Sequence, residues 1–153
     1  MKKYILFLGI WLFVSCSTTY KIGSEGEKYK LPKDLVVFLN SFEQSVASHN
    51  VDKLMLLMDK NYKKEQHDDM LEGKTAQFIN EFFGGTDVNG SGYKNPKFKN
   101  ITSIHFTSIQ EIENGYTVYY FITTKEYRID CRWDISVNKT KNGTIYGLIG
   151  AVG

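Results

Sequence analysis

The sequence predicts an α+β domain: N-terminal helices packed on a curved antiparallel sheet of about four strands. Three observations carry this. Apolar residues recur at helical spacing through the first half of the chain. Beyond Gly84 the composition turns to β-branched and aromatic residues, punctuated by Asn114-Gly115 and Asn142-Gly143, dipeptides suited to tight hairpins. Between those turns, Tyr127, Ile129, Cys131, Trp133, Ile135 and Val137 alternate with Arg128, Asp130, Arg132, Asp134 and Ser136. That strand therefore has one buried face and one polar face.

The elements follow in order. Pro32 and Asp34 open a first helix, whose stripe is Leu35, Phe38, Leu39, Phe42 and Val46. His49-Asn50 breaks it, and Asn50 is placed to cap a second helix carrying Val51, Leu54, Met55 and Met58. Tyr62 to Asp69 is charged and ambiguous. Thr75 to Phe83 reads as a third helix, ended by Gly84-Gly85. Thr86 to Pro96 reads as a loop, and strands follow at about 101 to 113, 116 to 126, 127 to 138 and 144 to 152.

The first 32 residues are of another kind. Lys2 and Lys3 precede a run of apolar residues from Tyr4 to Val14, the length of an export signal's core and too short to remain as a membrane span of ~20 residues. Leu12-Phe13-Val14-Ser15-Cys16 resembles the bacterial lipoprotein signal, with Phe13 where Leu is usual. The resemblance implies cleavage before Cys16, acylation of that cysteine (palmitate and related chains), and an envelope location at the outer membrane facing the periplasm, because Ser17 follows the cysteine. Two or more acyl chains make a stable membrane anchor. The predicted organisation is a signal peptide over 1–15, a lipidated N-terminus and polar tether over 16–32, and one domain over 33–153.

Charge and cysteine content narrow the function classes. Nineteen basic side chains face seventeen acidic ones, and two of the nineteen, Lys2 and Lys3, lie in the leader. A neutral mature domain does not suit nucleic-acid binding, which needs a basic face. With Cys16 acylated, Cys131 is left without a disulfide partner. Ten Tyr, ten Phe and two Trp supply a core that needs no staple.

Phe38-Leu39-Asn40-Ser41-Phe42, Ser48 to Leu54 and Leu57-Met58-Asp59, followed by the terminal strands, resemble the nuclear transport factor 2-like superfamily over about residues 33 to 152. A cystatin-like arrangement is the neighbouring alternative. The resemblance implies a sheet wrapped around helices as a cone, and either a binding role or an isomerase or dehydratase with an acid-base residue in the cone's pocket. Fold alone does not choose between them.

No catalytic set is recognisable. His105, Asp130 and Asp134 are the acid-base candidates. The simpler reading makes Asp130 and Asp134 members of a surface ion-pair ladder with Arg128 and Arg132. Tyr120, Trp133 and His105 are the pocket candidates, though tyrosines such as Tyr116, Tyr119, Tyr120 and Tyr127 more commonly serve sheet packing. Asp87-Val88-Asn89-Gly90-Ser91-Gly92 opens like a calcium loop but places Phe98 where a bidentate Glu is needed. His49, His67 and His105 lack metal-ligand spacing, and no phosphate-binding or cofactor motif is present. Cys131 reads as a small buried hydrophobe. The expectation is a membrane-anchored module that binds a small molecule or a protein, with the enzyme and a toxin-neutralising immunity role as alternatives. The Arg-Asp face could also pair two copies as a homodimer.

Overall fold

The computed structural model describes residues 17–22, 27–66 and 74–152. The segment read as a signal peptide (residues 1–15) and Cys16 lie outside the described residues, as does His67. The chain forms strands β1 (Ser17–Ile22) and β2 (Glu27–Pro32), then helices α1 (Lys33–Ala47), α2 (Val51–Leu57), α3 (Lys60–Glu65) and α4 (Thr75–Phe82). Strands β3 (Gly85–Asp87) and β4 (Tyr93–Lys94), a 3-10 turn (Phe98–Asn100), and strands β5 (Ser103–Ile112), β6 (Gly115–Thr123), β7 (Arg128–Thr140) and β8 (Gly143–Val152) complete it. Among the described residues, no helix is long and apolar enough to cross a membrane.

The α+β architecture is as predicted, with helices on one face of a curved antiparallel sheet. That sheet has six strands, where the sequence predicted about four. The extra pair is the short hairpin β3–β4, hidden in the Gly-, Asn- and Ser-rich stretch read as a loop. Strands of three and two residues carry no alternation to detect. The polar segment read as a tether holds a second surprise: β1 and β2 pair antiparallel, Ser17 opposite Pro32 and Ile22 opposite Glu27.

Helix starts follow local chemistry. Asn50 caps α2 by accepting the Lys53 N–H at 2.8 Å, as its sequence position predicts. Asp59 caps α3 through the Asn61 and Tyr62 N–H groups at 2.7 and 3.3 Å. Helix α1 stops because His49 takes a left-handed φ of 49°, a conformation that favours glycine. His49 is held there by its own side chain, whose Nε2–H donates to the Ile101 carbonyl at 2.8 Å.

The two long hairpins close one residue earlier than the Asn-Gly signals imply. Ile112 pairs with Gly115, and Thr140 with Gly143, so the loops are Glu113-Asn114 and Lys141-Asn142. The glycines begin the next strands. At Gly115 the need is proximity, since a Cβ would lie 1.9 Å from the Ile135 carbonyl oxygen of β7.

Strand β7 is the hub. One edge pairs with β6 from Arg128 to Ser136; the other takes β3 at Ile129 and Asp130, then β8 from Arg132 onward. Its inward residues Ile129, Cys131, Trp133 and Ile135 are buried, as the alternation predicts. Leu35, Phe38, Leu39, Phe42 and Val46 of α1 pack on that face. Trp133 is enclosed by Tyr120, Phe42, Phe83 and Phe82, with ring centroids 5.1, 5.2, 5.7 and 5.9 Å away. Its Nε1–H donates to the Phe82 carbonyl at 3.2 Å, so the one polar atom of the indole is satisfied where it is buried.

Helices and sheet are also joined at Asp59. The Asp59 N–H donates to the Leu148 carbonyl at 2.8 Å, and its Oδ2 accepts from the Ser136 hydroxyl at 2.8 Å. Gly147 permits this approach, because a Cβ there would lie 2.7 Å from the Asp59 Cα. Gly147→Ala should therefore cost about 1–3 kcal/mol, read from the midpoint of urea unfolding; an unchanged midpoint contradicts the contact.

Burial pushes the Asp59 carboxyl up, but hydrogen bonds from Ser136, Asn61, Tyr62 and Asn138 outweigh it and hold the group below 3.8. The stabilisation is therefore full above that value and is lost as pH falls through the lower, folded one. Asp59→Asn should be less stable than the parent by roughly 0.5–1 kcal/mol at pH 7, allowing for the solvent-facing side of the carboxylate. The difference should shrink as pH falls below 3.8 and close once the folded carboxyl is protonated. Urea unfolding of both proteins from pH 7 to pH 2 checks the sign.

Candidate functional site

The alternation that buries one face of the sheet presents the other to solvent. On β6, Tyr120 and Ile122 point inward, so Phe121 and Tyr119 point outward. Cross-strand register sets His105 of β5 opposite Phe121, and Phe121 opposite Asp130 of β7. Tyr119 lies opposite Arg132, and Thr117 opposite Asp134. The result is an open face of charged and aromatic side chains across three strands.

Arg128 attracts Asp130 on this face, and further contacts join that charge pair. The Arg128 guanidinium carbon lies 3.6 Å from the centre of the Phe121 ring, a cation–π stack that covers one side of the ring and fixes the cation in place. Asp134 Oδ1 accepts from the Thr117 hydroxyl at 2.6 Å. Burial pushes the Asp130 carboxyl above its usual range, and the attraction of Arg128 only partly offsets it. Arg132 keeps its Nε–H out of solvent with no acceptor among the described residues. This combination of an oriented cation, a partly dehydrated carboxyl, half-exposed rings and an unmet donor equips the face for polar contacts with another surface. Phe121 was missed by the sequence reading; its signal was the parity of β6, where an inward Tyr120 forces its neighbour outward.

The three pocket candidates do not come together. Tyr120 and Trp133 are fully buried with ring centroids 5.1 Å apart. Phe42 and Phe106 close on Tyr120 at 5.3 and 5.1 Å, so both candidates belong to the interior packing. His105 is exposed on the other side of the sheet. Asp130 shares that open side with it.

Asp87 closes the β3–β4 hairpin. Its Oδ1 accepts the Asn89 N–H at 2.8 Å and its Oδ2 the Ser91 hydroxyl at 2.5 Å, an Asx-type turn. Both oxygens that a calcium loop would aim at a cation are engaged by the hairpin itself. Among the described residues, no group of three or more His, Cys, Asp or Glu is placed to hold a metal ion.

Cys131 lies inward, 3 % exposed, with its Sγ 3.8 Å from the carbonyl oxygens of Phe83 and Gly84. Burial, and secondarily the Asp130 charge, push its thiol up to about 12. A thiol so protonated and enclosed is a poor nucleophile. In a Cys16→Ser background, a disulfide-exchange reagent at pH 8 should label Cys131 only as the chain unfolds, with the labelling midpoint in urea matching the fluorescence midpoint. Stoichiometric labelling of the folded chain within minutes contradicts that burial.

No protein-family model, curated protein or solved structure matches this chain.

Proposed function

We propose that the chain is an envelope lipoprotein anchored through Cys16, whose nuclear transport factor 2-like domain binds a protein partner through the open face of β5, β6 and β7. The leading support for the anchor is the leader itself: a basic start, an apolar run and a cysteine in export order. A domain tethered at its first residue and near neutral in charge gains little from long-range attraction and depends on short-range contacts.

The observation that carries the binding role is the Arg128–Phe121 stack, at the end of the face where β6 finishes and β7 begins. Arginine and aromatic residues are enriched at the energetic centres of interfaces, and a guanidinium already oriented by a ring loses less freedom on binding than a free one. The isomerase or dehydratase reading asks for a base beside a tyrosine within an enclosed pocket. His105 and Asp130 are instead on the open face, away from Tyr120, which favours recognition over proton transfer.

Two measurements test this. Cys16→Ser should move the protein from the membrane pellet to the soluble fraction; a wild-type chain already soluble, unlipidated and beginning with Met1 contradicts the anchor. A photo-crosslinking residue placed at Phe121 in the full chain in cells should capture one discrete partner, and the same residue at Asp52 of α2 should not. Equal capture at both positions, or none at Phe121, contradicts the face; capture of a second copy of the chain identifies the partner as itself.

A further inference from the structure

A second surface feature lies away from the open sheet face and shares none of its residues. Where α1 passes into α2, a cleft of about 310 Å³ opens between the α2 start, α4 and the 3-10 turn. Val51, Ile79 and Phe98 supply its apolar floor, and His49, Lys97 and Lys99 its polar rim. Among the described residues, no carboxylate lines it. In a domain whose opposite charges balance overall, an acid-free rim with two lysines is a local positive field over an apolar floor.

The walls are held in place before any ligand arrives. Asn80 Oδ1 of α4 accepts the Phe98 N–H at 2.9 Å, tying the turn to the helix. His49 ties the same turn to the α1–α2 junction through the Ile101 carbonyl, and its ring meets Phe98 edge-on at 5.7 Å. A left-handed backbone at a non-glycine residue is strained, yet here it sets the imidazole on the rim. A concavity of this size stands at the lower end of small-ligand sites, which begin near 300 Å³, so it suits a small molecule and is too small for most of a drug-sized one.

We infer that this cleft binds a small free carboxylate bearing one aromatic or branched apolar group, the apolar group on Val51, Ile79 and Phe98 and the carboxylate toward Lys97 and Lys99. Charge assistance favours the anion over a neutral isostere of the same shape, and the pinned walls reduce the ordering cost of binding.

The test uses the full chain in phosphatidylcholine vesicles, with 3-phenylpropionate as probe and its primary amide as the neutral isostere, observed by saturation-transfer NMR against protein-free vesicles. The acid should bind with a Kd on the order of 1 mM, and the amide about fivefold more weakly. The double variant Lys97→Gln/Lys99→Gln should weaken the acid by about fivefold and leave the amide unchanged. Ala76→Glu, which adds a carboxylate to an exposed lining position, should abolish transfer to the acid. All these positions are exposed, and unchanged Trp133 fluorescence confirms folding. The inference is overturned if the acid shows no transfer, if acid and amide bind alike, or if the lysine variant binds the acid as the parent does. Tenfold tighter binding of acetyl-Ala-Phe, which carries the same ring and carboxylate at a peptide terminus, would also overturn it by making the site one for chain ends.

Discussion

The indole of Trp133 ties the layers of this fold together. It projects from β7, the strand that pairs with β3, β6 and β8, and it hydrogen-bonds the last turn of α4 through the Phe82 carbonyl. Phe42 brings in α1 and Phe83 extends the cluster to Phe98, at ring distances of 5.2 and 5.1 Å. Each such ring removes well over 100 Å² from water, and aromatic pairs add about 0.5–1.5 kcal/mol beyond burial.

A core filled in this way constrains where function can be. Tyr120 and Trp133 fill the interior between α1 and the sheet, so the open face and the cleft both lie outside the core. The open face of β5 to β7 offers an oriented guanidinium and a partly dehydrated carboxyl. The cleft at the α1–α2 junction offers an apolar floor beneath lysines. The two are built differently. The face suits a broad, polar partner, and the cleft a single small group. A domain anchored at Cys16 as proposed would use both, because tethering raises the effective concentration of any partner in the same compartment.

Legibility in the sequence followed periodicity. Helix α1 and strand β7 were readable because each repeats an apolar residue at its own period over many residues, and a slip would expose the whole set. The Asn50 cap was readable because capping is local. The β3–β4 hairpin was not, since its strands are too short to show a pattern and are placed by β7, more than thirty residues away. The pairing of β1 with β2 was missed because the segment was read as a polar tether, although Tyr29 and Leu31 alternate with Lys28 and Lys30 in β2. At the sites, the lesson is sharper. Trp133 and Tyr120 signalled a pocket by type, whereas their inward parity already placed them in the core. Arg128 and Phe121 meet only once the β6–β7 register is known, and His49 acquires its role from a carbonyl fifty-two residues later.

The most direct test of this account is the exchange of the Trp133 indole proton with deuterium in the folded, full chain, followed by NMR. A filled and dry interior predicts exchange only through global opening, at a rate that urea accelerates in step with unfolding. Exchange within seconds under native conditions, insensitive to low urea, would place solvent beside the indole, contradict the packed cluster, and restore the interior as the place where this protein binds.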